Sequence, residues 1–163
     1  MKDGLPDFLK QRGGKAYRYL LKEIEGVTAE QALAGRRPHW TSHRWGVGQN
    51  GSIAGIVYHV AAWKSMTLGR FDPESQTLET VAFDVASAPS PDDWEGVVSW
   101  LKTAGDQWNE ALQSLPDAEF DREKVWEGNS LAISEFVAEM YEHDIQHASQ
   151  IEYLRQTLKV DNG

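Results

Sequence analysis

Apolar residues recur at helical spacing in four stretches of the chain. From about Pro6 to Glu25, Leu9, Ala16, Tyr17, Leu20, Leu21 and Ile24 share one side. Gly13-Gly14 weakens the early turns, by about 1 kcal/mol per glycine relative to alanine. Thr28-Ala29-Glu30-Gln31 then has the pattern of a capping box and predicts a short helical turn. The second stretch follows the Gly/Asn-rich GQNGS, with Ser52 or Asn50 as N-cap. Ile53, Ile56, Val57, Val60, Trp63 and Met66 form its apolar side, and His59 falls among them.

Ser90-Pro91-Asp92-Asp93 announces the third stretch: serine caps, proline fits the first turn, and acids suit a helix N-terminus. Its stripe is Trp94, Val97, Val98, Leu101, Trp108, Leu112 and Leu115, and Pro116 closes it. The fourth runs from near Asn129-Ser130 to about Lys159. Ile133, Val137, Met140, Asp144, His147, Ile151, Leu154 and Leu158 step alternately four and three residues, the spacing of a bundle seam. Two members of that seam are polar.

The connections are long. Residues 35–50 are rich in Gly, Arg, Trp and His; residues 72–89 contain the potentially extended TVAFDVA; residues 117–129 are polar, with Phe120 and Trp126 as anchors. Together these features predict an all-α, up-down four-helix bundle with long inter-helix loops. A helical layer over a small sheet is the alternative. At 163 residues, with 40% hydrophobic content, the chain suits one domain spanning residues 1–163.

Charge and composition narrow the functions. A formal net charge of -9 opposes general binding to nucleic acid or anionic membranes. There is no cysteine, which removes disulfides, thiolate metal sites and cysteine nucleophiles. No apolar run approaches the roughly 20 residues of a membrane span, and MKDGLPDFLKQRGG lacks a signal peptide's apolar stretch. A soluble, cytoplasmic protein is the expectation.

The candidate chemistry is imidazole. His143 and His147 lie four apart and so share a helix face, with His147 on the seam and His143 at its edge. With His59 from another helix, three histidines could meet inside one bundle. Three nitrogen ligands and an open position make the pattern of a catalytic zinc site, although imidazole also suits nickel, iron and copper. Asp144, Gln150, Glu139 and Glu142 are candidates to support those ligands. Asp144 stands out, because it holds a seam position where leucine is expected. The competing reading is that each histidine is an ordinary hydrogen-bonded residue at the core or its rim.

Two stretches carry a resemblance to a known family. Gly51-Ser52-Ile53-Ala54-Gly55-Ile56-Val57-Tyr58-His59-Val60-Ala61-Ala62-Trp63 ends a Trp/Gly loop and places His59 in the second long helix. His143-Asp144-Ile145-Gln146-His147-Ala148-Ser149-Gln150-Ile151 is a His-x-x-x-His followed by a small residue and Gln-Ile. In these, and in the order of elements over the whole chain, the sequence resembles the DinB/YfiT-like superfamily of four-helix-bundle proteins. The resemblance implies a divalent metal held by His59, His143 and His147. Nickel or zinc is the expected occupant, with iron admissible, and homodimers are frequent. Relatives include bacillithiol-dependent S-transferases and mycothiol-dependent maleylpyruvate isomerases. The implied activity is thus thiol-dependent transfer to a small electrophile, with Asp144 or Gln150 positioning the nucleophile.

Metal-dependent hydrolysis is the alternative activity, and a non-enzymatic metal- or ligand-binding module a further one. Two departures from the family pattern stand out. Aspartate replaces the usual glutamate after the first histidine, and Ala148-Ser149 replaces a frequent arginine-glycine pair.

Other motifs are weaker. His143-Asp144-Ile145-Gln146-His147 departs by one residue from the zincin His-Glu-x-x-His, but aspartate is a methylene short and no sheet accompanies it. Gly46-Val47-Gly48-Gln49-Asn50-Gly51 fits G-x-G-x-x-G without a preceding strand, so it reads as a turn. His39 and His43 lie in a loop, where Trp40 or Trp45 could instead rim a pocket.

Overall fold

Each of the four periodic stretches is a long helix. The computed structural model describes residues 4–35, 51–72, 74, 87–126 and 128–161. The loop with His39, His43, Trp40 and Trp45, most of the G-x-G-x-x-G turn, and TVAFDVA lie outside the described residues.

Helix α1 spans Leu5–Ile24, with proline in its first turn and Leu9, Ala16, Tyr17, Leu20 and Ile24 buried. Gly13 has a packing reason: a Cβ there would stand 2.9 Å from Leu112 Cδ2. Short α2, Ala29–Leu33, carries the expected capping box between Thr28 and Gln31. Helix α3 spans Ile53–Thr67, and the Ser52 hydroxyl accepts from the Gly55 N–H as its cap. It is more central than its stripe suggests, since all of it except Trp63 and Ser65 is buried. A 3-10 turn, Leu68–Phe71, prolongs it.

Helix α4, Trp94–Ser114, starts later than the serine signal implies. Asp93 is the cap, its carboxylate accepting from the Gly96 N–H, while Ser90 closes the turn before it. The expected loop at residues 117–129 is also more ordered. A 3-10 turn, Asp117–Asp121, leads to strands β1 (Glu123–Trp126) and β2 (Asn129–Ala132), paired antiparallel from Glu123↔Ala132 to Trp126↔Asn129. Gly128 turns this hairpin at φ 80°, a conformation glycine adopts freely. Phe120 is buried as expected; the Trp126 side chain lies outside the described part of the chain. Lys124 anchors the hairpin by donating to the carbonyls of Arg70 and Asp72. Helix α5 therefore begins at Ile133 and runs to Asp161. Glu135 accepts the Ala132 N–H just before it.

The expected all-α four-helix bundle is what α1, α3, α4 and α5 build, and the hairpin is a local addition. Helix directions follow from the contacts. Tyr19 meets Glu152 and Glu23 meets Arg155, so α1 and α5 run parallel. Tyr58 packs on Trp100 and Phe71 on Trp108, so α3 and α4 are parallel too. Tyr17 bonds Lys102 and Lys10 bonds Gln113, which makes α1 antiparallel to α4. Direction thus alternates along the chain except between α3 and α4, so the four-helix bundle stands but the expected up-down order does not hold for that pair. A parallel pair needs a connection that returns the full helix length, which accounts for the long stretch between them.

Two apolar clusters fill the interior. One gathers Leu20, Ile24, Ile53, Ile56, Val97, Leu101, Ala148 and Ile151; the other gathers Leu9, Phe71, Trp108, Leu112, Ile133, Phe136 and Met140. Along α5 the second ends at Met140 and the first resumes at Ala148. Asp144 and His147 lie in that interval, where α5 faces α3.

Candidate metal centre

Three ring nitrogens converge in the interval between the clusters. His59 Nε2 is 3.1 Å from His143 Nε2, and His147 Nε2 is also 3.1 Å from it. All three donor atoms lie within 4.8 Å of one another. His59 and His147 are buried and His143 is half-buried. Helix geometry explains the pair on α5, since residues four apart stack on one face. The antiparallel packing of α3 supplies the third. The Trp63 ring stands 6.3 Å from His59 and 5.9 Å from His143, forming a wall.

The donor set fits a divalent ion. Two nitrogens at about 2.0–2.1 Å from one tetrahedral ion lie about 3.3 Å apart, near the spacings seen. One partner also orients a donor. His147 Nδ1 is 2.8 Å from Gln150 Oε1. An amide oxygen only accepts, so Nδ1 carries the proton and Nε2 keeps its lone pair for the centre. Burial pushes His147 below the ordinary histidine range, opposed by Gln150 and the Asp144 charge. The ring is therefore neutral at neutral pH, the form a metal needs.

A family profile of the DinB superfamily matches residues 14–151. The chain belongs to the DinB superfamily. YfiT from Bacillus subtilis, described as a probable metal-dependent hydrolase with an unusual four-helix bundle topology, is similar in fold. The TM-score is 0.66 at 18% identity, over 94% of this chain and 87% of YfiT. No curated protein matches the chain. No described helix is long and apolar enough to cross a membrane.

In this DinB-superfamily bundle the site residues named from sequence fall in two places. His59, His143, His147 and Gln150 come together. Asp144 does not join the nitrogen cluster. Its Oδ2 accepts from Lys64 Nζ at 2.8 Å, with side chains only 1% and 3% exposed. Burial pushes the Asp144 carboxyl up, and the Lys64 ammonium beside it pulls the other way. Glu139 and Glu142 lie on the exposed side of α5. Sequence reasoning misses Lys64, although a signal is there: it stands four residues after Val60 and seven after Val57, on the apolar face of α3.

Proposed function

We propose that this chain is a metal-dependent enzyme that uses His59, His143 and His147 to activate a nucleophile against a small electrophile. The supporting observation is the convergence of three Nε2 atoms, one of them oriented from behind by Gln150. When bound there, a divalent ion such as nickel, zinc or iron would act as a Lewis acid and lower the pKa of a water or thiol. Among the described residues no carboxylate completes a cluster with the three nitrogens, so neutral donors alone would face the ion. Gln150 keeps His147 in the donating tautomer, and Trp63 shields one side of the cluster.

Thiol transfer is the first reading. The buried carboxylate nearest the histidines in sequence, Asp144, is engaged by Lys64 through Oδ2 and lies outside the nitrogen cluster. A thiol that coordinates gives up its proton without such a base. The cosubstrate would be a low-molecular-weight thiol: its proton passes to solvent, its sulfur forms a new S–C bond, and the electrophile's leaving group departs with the electron pair of the C–X bond that breaks. The description of YfiT supports hydrolysis as the second reading.

Elemental analysis of untagged protein made in metal-replete medium tests the centre. One equivalent of a divalent transition metal per chain is expected, and its absence would overturn the reading. Conjugation of model electrophiles with bacillithiol, mycothiol or glutathione tests the transfer. Turnover with water alone, and none with the three thiols, would replace it by hydrolysis.

A further inference from the structure

We propose that Lys64 and Asp144 form a buried ionic clamp that positions the metal ligands by fixing the height of α3 against α5. The inference rests on the metal reading above and concerns residues that need not touch the ion.

Stability alone does not explain the pair. Two charges taken from water recover little net free energy, and an apolar pair of similar volume commonly packs as well or better. Its location is more informative. Asp144 follows His143 directly and precedes His147 by three residues, while Lys64 follows His59 by five. The pair therefore joins the same two helices that the metal must join. Lys64 also meets the other two. Its ammonium stands 4.8 Å from the Trp108 ring of α4 and 5.3 Å from the Tyr17 ring of α1. One cation is thus walled by all four helices of the bundle.

Such a contact supplies what apolar packing lacks. Hydrophobic contact is non-directional, whereas a charged hydrogen bond at 2.8 Å is short and sensitive to geometry. A slip of one residue along a helix moves a side chain by about 1.5 Å. Metal sites tolerate about 0.2 Å in ligand distance. A bundle that packs well at several heights would still fail to place His59 on the same point as His143 and His147. The clamp selects one height before any ion arrives.

The test is the untagged double variant Lys64→Met/Asp144→Leu, titrated with Co(II), which imidazole ligands bind. Its thermal midpoint without metal should equal or exceed that of the wild type. Its Co(II) affinity should fall about 10–100-fold, as for loss of a group supporting metal ligands, and the Co(II) visible bands should change in position or intensity. A folded double variant with wild-type affinity and spectrum would reduce the pair to packing and overturn the proposal. Should that variant not fold, Asp144→Asn, which keeps an acceptor for Lys64 without the charge, is expected to weaken Co(II) binding and change its bands likewise, and wild-type affinity and spectrum in it would overturn the ionic clamp. A wild type that takes up no Co(II) would end both the metal reading and the clamp, whereas equal binding by wild type and variant ends the clamp alone.

Discussion

The polar interior of this bundle is built in two ways within one turn of α5. Around Lys64 and Asp144, opposite charges meet and the ammonium lies against aromatic faces. There Asp144 Oδ2 and the ammonium answer each other, while Asp144 Oδ1 is buried without a hydrogen bond. Around the histidines, His59 and His147 each bring Nε2 to 3.1 Å from that of His143, a nitrogen set that suits a divalent cation. One arrangement joins opposite charges; the other gathers three side chains of one ligand chemistry. Burial of polar groups alone therefore does not mark a candidate site; convergence of like ligand atoms does.

Four measurements put that contrast at risk. His147→Ala should abolish stoichiometric metal in elemental analysis, a loss exceeding the roughly 10–100-fold effect of removing a supporting partner. Retention of a full equivalent would show that the metal site lies elsewhere. Lys64→Met alone should strand the Asp144 charge and cost about 3–5 kcal/mol of stability in urea unfolding. A cost near zero would mean that Asp144 does not depend on the lysine.

Gln150→Leu should leave metal-free stability nearly unchanged while weakening Co(II) binding about 10–100-fold, because His147 loses the acceptor that fixes its tautomer. The smallest effect belongs to the wall of the clamp. Burial, with Asp106 and Asp144 nearby, pushes the Tyr17 phenol well above its ordinary value. Its contribution to stability is present below about pH 10 and is lost as pH rises past that, where the unfolded chain ionises first. The unfolding midpoint should therefore fall less steeply between about pH 9 and 11 in Tyr17→Phe than in the wild type.

Much of this architecture is legible in the amino-acid sequence. Apolar spacing locates the four helices, since each buries one face and repeats at the helical period. The three histidines are legible for the same reason: His147 interrupts a seam and His143 stands one turn from it. The hairpin is not, because strands of four residues are too short to show alternation against a polar background. The parallel run of α3 and α4 is not either, since apolar stripes carry no sense of direction; only the length of the intervening segment hints at it. Asp144 stands out on its seam, yet its partner lies 80 residues away. A lysine within an apolar stripe is easily assigned to the surface, where its long stem so often leads.

The separation of His59 from His143 by 84 residues has a consequence for the life of the protein. During synthesis, a chain ending before α5 has one donor of the three and lacks the glutamine that orients another. Of the proposed centre it holds His59 alone. Full-strength binding at the proposed centre therefore needs the last long helix docked against α3. The order of the chain thus makes the centre, as proposed, a property of the closed bundle rather than of any one segment.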